Sequence, residues 1–140
     1  MDTMSLDKLT RLGFRHALTM TWAGGGPGTF KIVPLNEDIL RVRSVIYAWY
    51  DRHNDVIMNV GLTSQTLKAR FLNAAGYEHW LNASRKDRID RPIRHRWLDH
   101  IKSSKSGLIE VHIRPCDEGL LNQEENRFMN ELNPVLNVRR

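Results

Sequence analysis

Between Ser44 and Arg70 the chain alternates twice in a way that few folds accommodate. Val45, Tyr47 and Trp49 interleave with Ile46, Ala48 and Tyr50, and then Val56, Met58 and Val60 interleave with Ile57, Asn59 and Gly61. A two-residue period rich in β-branched and aromatic side chains belongs to strands. The intervening Asp51-Arg52-His53-Asn54-Asp55 is built of polar turn formers, so the two runs are expected to close as a hairpin. Pairing symmetric about that loop sets Tyr47 opposite Asn59, with Cβ atoms about 4.5–5.5 Å apart on one face. Gly61 is expected to end the second strand. Thr63 or Ser64 would then cap a helix that turns Leu67, Phe71 and Ala74 inward and leaves Arg70 on the edge of the stripe.

The flanking segments extend this pattern. Ser5 to Leu12 reads as a short helix with Ser5 as its cap and Leu6, Leu9 and Leu12 inward. Phe14–Trp22 and Phe30–Pro34 read as a second hairpin around Ala23-Gly24-Gly25-Gly26-Pro27-Gly28. Those glycines are not a phosphate loop, because Thr29-Phe30-Lys31 follows Gly28 where Gly-Lys-Ser/Thr is needed. Residues 73–90 are polar and irregular; Asp90 and Pro92 open a helix to about Ser103 with Ile93, Trp97 and Ile101 inward. Leu108 to Ile113 is a third strand, with Leu108, Glu110 and His112 on one side and Ile109, Val111 and Ile113 on the other. The order hairpin, helix, helix, strand, helix predicts an α+β fold: a small three-stranded antiparallel sheet flanked by helices, with residues 1–43 as an N-terminal helix and hairpin extension to a domain over 44–140.

The last helix, from about Glu118 to Leu132, sets Leu121, Phe128, Met129 and Leu132 on one stripe, and Glu125 falls inside it, four after Leu121 and three before Phe128. An inward carboxylate is costly unless it is paired, hydrogen-bonded or bound to a metal. A salt bridge to an arginine such as Arg70 and a cation at the floor of a cleft both satisfy it. Glu124, nearer the edge of the stripe, is expected to be solvated. The six histidines offer no His-x-x-x-His spacing: His95 and His100 lie on different helix faces, His112 is on a strand, and most are expected at the surface.

Two blocks resemble the GIY-YIG nuclease superfamily. That family carries a Gly-Ile-Tyr strand, about ten residues, a Tyr-Ile-Gly strand and then a helix with an essential arginine. Here the triplets are Val45-Ile46-Tyr47 and Asn59-Val60-Gly61, and Gly61 to Arg70 follows the family's Gly-x-Thr-x-x-x-Leu-x-x-Arg. At the other end Glu125, then Asn133-Pro134-Val135-Leu136-Asn137, resembles the block in which a metal-binding glutamate precedes Pro-x-hydrophobic-Asn. The resemblance implies a DNA endonuclease leaving 5′-phosphate and 3′-hydroxyl ends. Tyr47 would be the base or position the water, Arg70 would stabilise phosphate charge, Glu125 would hold one Mg²⁺ or Mn²⁺, and Asn137 would brace the glutamate or touch substrate. Two positions depart from the family: Val45 stands for glycine and Asn59 for tyrosine. An amide orients a water or phosphate but cannot take its proton, so Asn59 is tolerable only if the first tyrosine is the base. Leu62 stands where some members place a lysine, which Lys68 would have to replace.

The charge balance agrees with a polyanionic partner: 21 basic against 16 acidic residues, a formal +5. Arg85, Lys86, Arg88, Arg91 and Arg94 lie in the densest basic run, which reads either as a track along phosphates or as a solvated helix face. One cysteine, Cys116, excludes a disulfide framework and a thiolate zinc site. With no apolar stretch long enough for a membrane and no leader, a cytoplasmic, membrane-free chain is expected. One active site per chain would favour dimers, or sequential action, for cutting both strands of a duplex. Two rival readings remain: a catalytically impaired nucleic-acid-binding module on the same fold, and a basic, helix-rich domain that binds a protein partner.

Overall fold

The computed structural model describes residues 4–22, 30–72 and 108–135. Its elements in chain order are helix α1 (Met4–Arg11), strands β1 (Arg15–Trp22) and β2 (Phe30–Pro34), a 3-10 turn (Asp38–Arg41), strands β3 (Arg43–Asp51) and β4 (Val56–Thr66), and a π-helical turn (Lys68–Leu72). Strand β5 (Leu108–Pro115), a second 3-10 turn (Glu118–Leu120) and helix α2 (Leu121–Leu132) complete it. The expected α+β class holds, but the sheet has five strands rather than three, in the order β2-β1-β5-β3-β4, and each pairing is antiparallel. The N-terminal hairpin does not stand apart: β1 pairs along β5, from Arg15 opposite Ile113 to Thr21 opposite Leu108. No helix among the described residues is long and apolar enough to cross a membrane.

Strand β3 is covered on both faces, with Val45 through Asp51 all buried. Period-two alternation then divides the core. Val45, Tyr47 and Trp49 join Leu18, Met20, Ile109, Val111, Ile113, Leu67 and Phe71 on one face. Ile46, Ala48 and Tyr50 join Leu9, Phe14, Ile57, Val60, Leu121, Phe128 and Leu132 on the other. Both terminal helices therefore lie on the second face, where Phe14 meets Phe128 edge-on at 5.1 Å. α2 ends at Asn133, whose left-handed φ of 46° suits an asparagine, and Val135 N–H then donates to Ile57 O.

The hairpin register differs from symmetric pairing. Tyr47 stands opposite Gly61 and Trp49 opposite Asn59, because Asp51 pairs with Val56 and a bulge at Met58 adds one residue to β4. β4 also runs on through Thr63 and Ser64, so neither caps a helix. The cap is Thr66, whose Oγ1 accepts the Ala69 N–H at 3.2 Å. Ser5 likewise does not cap α1. The carboxylate of Asp55, in the β3–β4 loop, accepts the N–H groups of Ser5 and Leu6 at 3.1 and 3.3 Å and the Tyr50 hydroxyl at 2.6 Å. Burial pushes that carboxyl up, but these hydrogen bonds outweigh it and hold it below its usual range, a charge suited to a helix N-terminus.

Most of the histidines are expected at the surface, but His112 is buried, because inward alternation on β5 points it at Tyr50 and His16. Its Nε2–H donates to Glu110 Oε1 at 2.8 Å, and Arg52 grips the same carboxylate in a fork, with Nη2 2.9 Å from Oε1. Burial raises the Glu110 carboxyl; the His112 and Arg52 hydrogen bonds, aided by the charges of His16 and Arg52, outweigh it and hold it at about 2 against an ordinary 4.5. A carboxyl depressed in the folded state stabilises fully above its unfolded value and less as pH falls toward its folded one. Glu110→Gln is therefore expected to lower the melting temperature at pH 7 and to flatten the acid limb of stability between pH 4.5 and about 2. Thermal melts across that range check it, and parallel acid limbs for the two proteins would count against the network.

Candidate functional site

Gly61 determines what the first face can present. The Tyr47 ring lies directly over it: a Cβ built there would overlap Cζ and Oη and stand 2.7 Å from Cε1. Only glycine lets the phenol cross to the outer strand. The ring is held edge-on against Phe71 at 5.4 Å and is 2% exposed. Arg70 reaches it from the next turn, donating from Nη2 to Tyr47 Oη at 3.1 Å with its guanidinium carbon 5.9 Å from the ring centroid. Two local devices place Arg70. Leu67 N–H donates to Val42 O at 2.9 Å, and Thr66 opens the π-helical turn that carries Phe71 inward and Arg70 to the edge. π-turns are rare and recur at functional sites.

Asn59 shares this face but is not opposite Tyr47; with Tyr47 against Gly61 it is a diagonal neighbour, a relation worth ~7–8 Å between Cα atoms. It is 6% exposed, and its Oδ1 accepts no hydrogen bond among the described residues. Leaving such an acceptor unsatisfied costs about 1–3 kcal/mol, which makes it an unusual thing to bury next to a phenol.

Glu125 is carried by α2, whose buried side chains pack on the opposite face from Tyr47 and Arg70. Tyr47 and Arg70 are thus brought together, while Glu125 approaches from behind the sheet. Its position can be derived from the helix. At about 100° per residue, Glu124 and Glu125 fall on opposite flanks of the Leu121–Phe128–Leu132 stripe. Glu124 is not solvated as expected: it accepts from Arg127 Nη1 at 3.1 Å and lies 4.0 Å from Arg114 of β5, with its side chain 16% exposed. Glu125 therefore falls on the other flank of the stripe, and it is half-buried. Among the described residues no group of three or more His, Cys, Asp or Glu side chains is placed to hold a metal ion. A single carboxylate suffices for Mg²⁺, which keeps several waters and takes its remaining oxygens from substrate phosphates, so the donor chemistry of Glu125 fits that ion.

Asn137 and the basic residues Arg85, Lys86, Arg88, Arg91 and Arg94 lie outside the described residues, as does the helix expected after Asp90. Lys68 is exposed on the π-turn, two residues before Arg70. Sequence reasoning missed Arg43 and Ser44 at the start of β3. Ser44 has a φ of 59°, in the left-handed region, and nothing short of the paired strands would reveal it.

The fold and site define an α+β domain whose antiparallel sheet carries a buried phenol over a glycine, bonded to a half-buried guanidinium. No family model, no curated protein and no solved structure matches the chain.

Proposed function

We propose that the protein is a divalent-cation-dependent endonuclease hydrolysing DNA phosphodiester bonds, with the Tyr47–Arg70 pair as its reacting centre. The observation that carries this reading is the 3.1 Å hydrogen bond from Arg70 to the Tyr47 hydroxyl, made possible by a missing Cβ at Gly61. Phosphodiester hydrolysis needs an activated water, relief of charge on the phosphate and help for the departing oxygen. Arg70, half-buried at the edge of the turn, is the donor that a phosphate reaches first, since the Tyr47 ring beneath it is 2% exposed. The phenol oxygen then positions the water or takes its proton. Asn59 offers its unpartnered Oδ1 to the water or its amide N–H to the phosphate, and cannot replace a phenol as base. Glu125 would hold the cation; a bound Mg²⁺ supplies Lewis-acid charge relief at a phosphate oxygen.

A second reading, a nucleic-acid-binding module without catalysis, is favoured by Asn59 in place of a second tyrosine and by the position of α2 behind the sheet. Supercoiled plasmid separates the two. The enzyme is expected to nick it with Mg²⁺ and not with EDTA, and Glu125→Ala to lose nicking while keeping DNA retardation. Retardation without nicking by the unaltered protein would leave the binding module standing.

A further inference from the structure

Strand β3 begins with an irregularity that has a steric cost. Ser44 adopts a left-handed φ of 59°, a conformation disfavoured for any residue with a Cβ. The ladder is bulged there: Arg43 stands opposite Thr66 and Val45 opposite Thr63, so Ser64 and Gln65 of β4 together face Ser44. The bulge is fastened on every side. Ser44 Oγ donates to Cys116 O at 2.6 Å, Cys116 N–H donates to Ser44 O at 3.0 Å, and Gln65 N–H donates to Thr63 Oγ1 at 3.0 Å. Bulges re-aim the side chains beside them and are common next to functional sites.

The side chain beside this one is Arg43, which crosses to the outer strand and donates from Nε to Ser64 O at 3.4 Å. That contact ties the side chain to the outer strand while Arg43 as a whole stays exposed. Lys68 is also exposed and follows Thr66, the Cα partner of Arg43, by two residues. Among the described residues neither cation meets a carboxylate, in contrast to Arg41, which lies 3.6 Å from Asp38, and Arg52, which is forked to Glu110. Arg43 precedes Tyr47 by four residues, a strand distance of about 13 Å. A nucleic-acid strand with one phosphate per ~3.4 Å of helix axis spans that within a few nucleotides.

From this arrangement we infer that Arg43, aimed by the Ser44 bulge, and Lys68 form a phosphate-binding rim at the open end of the β3–β4 ladder. The rim takes backbone phosphates that flank the one at Tyr47 and Arg70. The inference rests on the nuclease reading for its substrate class, and it concerns binding rather than cleavage. Contacts of this kind carry no base information and set the register of the strand across the reacting pair.

The test is the salt dependence of binding to a short fluorescein-labelled DNA duplex, followed by anisotropy with EDTA present so that no cleavage intervenes. Arg43→Gln and Lys68→Gln are each expected to reduce the slope of log Kobs against log salt by about one, uniformly across duplex sequences. Lys8→Gln, on α1 at the other face, is expected to leave it unchanged. Because both rim positions are exposed, the two variants report independently should either fold poorly. Wild-type slopes in Arg43→Gln and Lys68→Gln, with DNA still bound, overturn the rim and leave the nuclease reading intact. Absence of any salt-dependent binding by the unaltered protein overturns both.

Discussion

Arg70→Ala is expected to slow Mg²⁺-dependent nicking by roughly 10²–10³-fold, the usual effect of removing a fixed donor from developing transition-state charge. The physical basis is the geometry of one side chain. Arg70 is anchored by Thr66 and Leu67 at the base of its turn and donates to Tyr47 Oη, so its guanidinium is held in place before substrate arrives. Preorganisation of that kind avoids reorganisation at the moment of reaction. Arg70→Lys is expected to recover little. An ammonium keeps the charge but not the planar fork, and so cannot bond the phenol and a phosphate oxygen in the same geometry. Nicking rates at saturating DNA, with thermal melts of each variant to show that the fold survives, measure the effect. A rate within a few-fold of the unaltered protein would remove Arg70 from the chemistry.

Gly61→Ala is expected to destabilise the fold by about 1–3 kcal/mol, the range for overpacking a filled core. The added methyl would occupy the space of Tyr47 Cζ and Oη, and the ring cannot yield cheaply because Phe71 blocks it and only 2% of the residue is exposed. The cost should vanish when the obstacle is removed. In a Tyr47→Ala background the same methyl has room, so a double-mutant cycle in urea should give a coupling of the same order as the single Gly61→Ala cost. An equal cost in both backgrounds would mean that Gly61 is needed for its backbone alone. The displaced phenol should also leave the hydrogen bond with Arg70, so nicking is expected to fall further than stability does.

Much of this arrangement is legible in the residues, and the part that is not has identifiable causes. Alternation from Val45 to Tyr50 locates a strand because both of its faces are apolar, and the Leu121, Phe128, Leu132 stripe locates α2 because a helix must bury that face somewhere. Register is another matter. The Asp51–Val56 pairing and a bulge at Met58 each move the partner of Tyr47 by one residue, together from Asn59 to Gly61, and no local propensity announces either. Thr63-Ser64-Gln65-Thr66 has the composition of a helix cap, yet β-branched threonines serve a strand equally well, and the ladder with β3 decides the matter. The β1–β5 pairing joins residues about a hundred positions apart, so the sequence shows two hairpins and a strand without showing that they share a sheet. At the site, an inward position marks Glu125 but gives no sign that its neighbour Glu124 is held by arginines, which it is because Arg114 and Arg127 reach its flank of the helix. Arg43 escaped notice because its importance comes from the twisted backbone at Ser44 and not from any pattern of residue types.

The hydroxyl of Tyr47 is the atom on which the nuclease reading turns, and Tyr47→Phe removes it while keeping the ring over Gly61. Single-turnover nicking of supercoiled plasmid in Mg²⁺, with DNA retardation measured alongside, should show a rate lower by roughly 10²–10⁴-fold and binding unchanged. A Tyr47→Phe protein that nicks at the rate of the unaltered chain would contradict the assignment of this pair as the reacting centre.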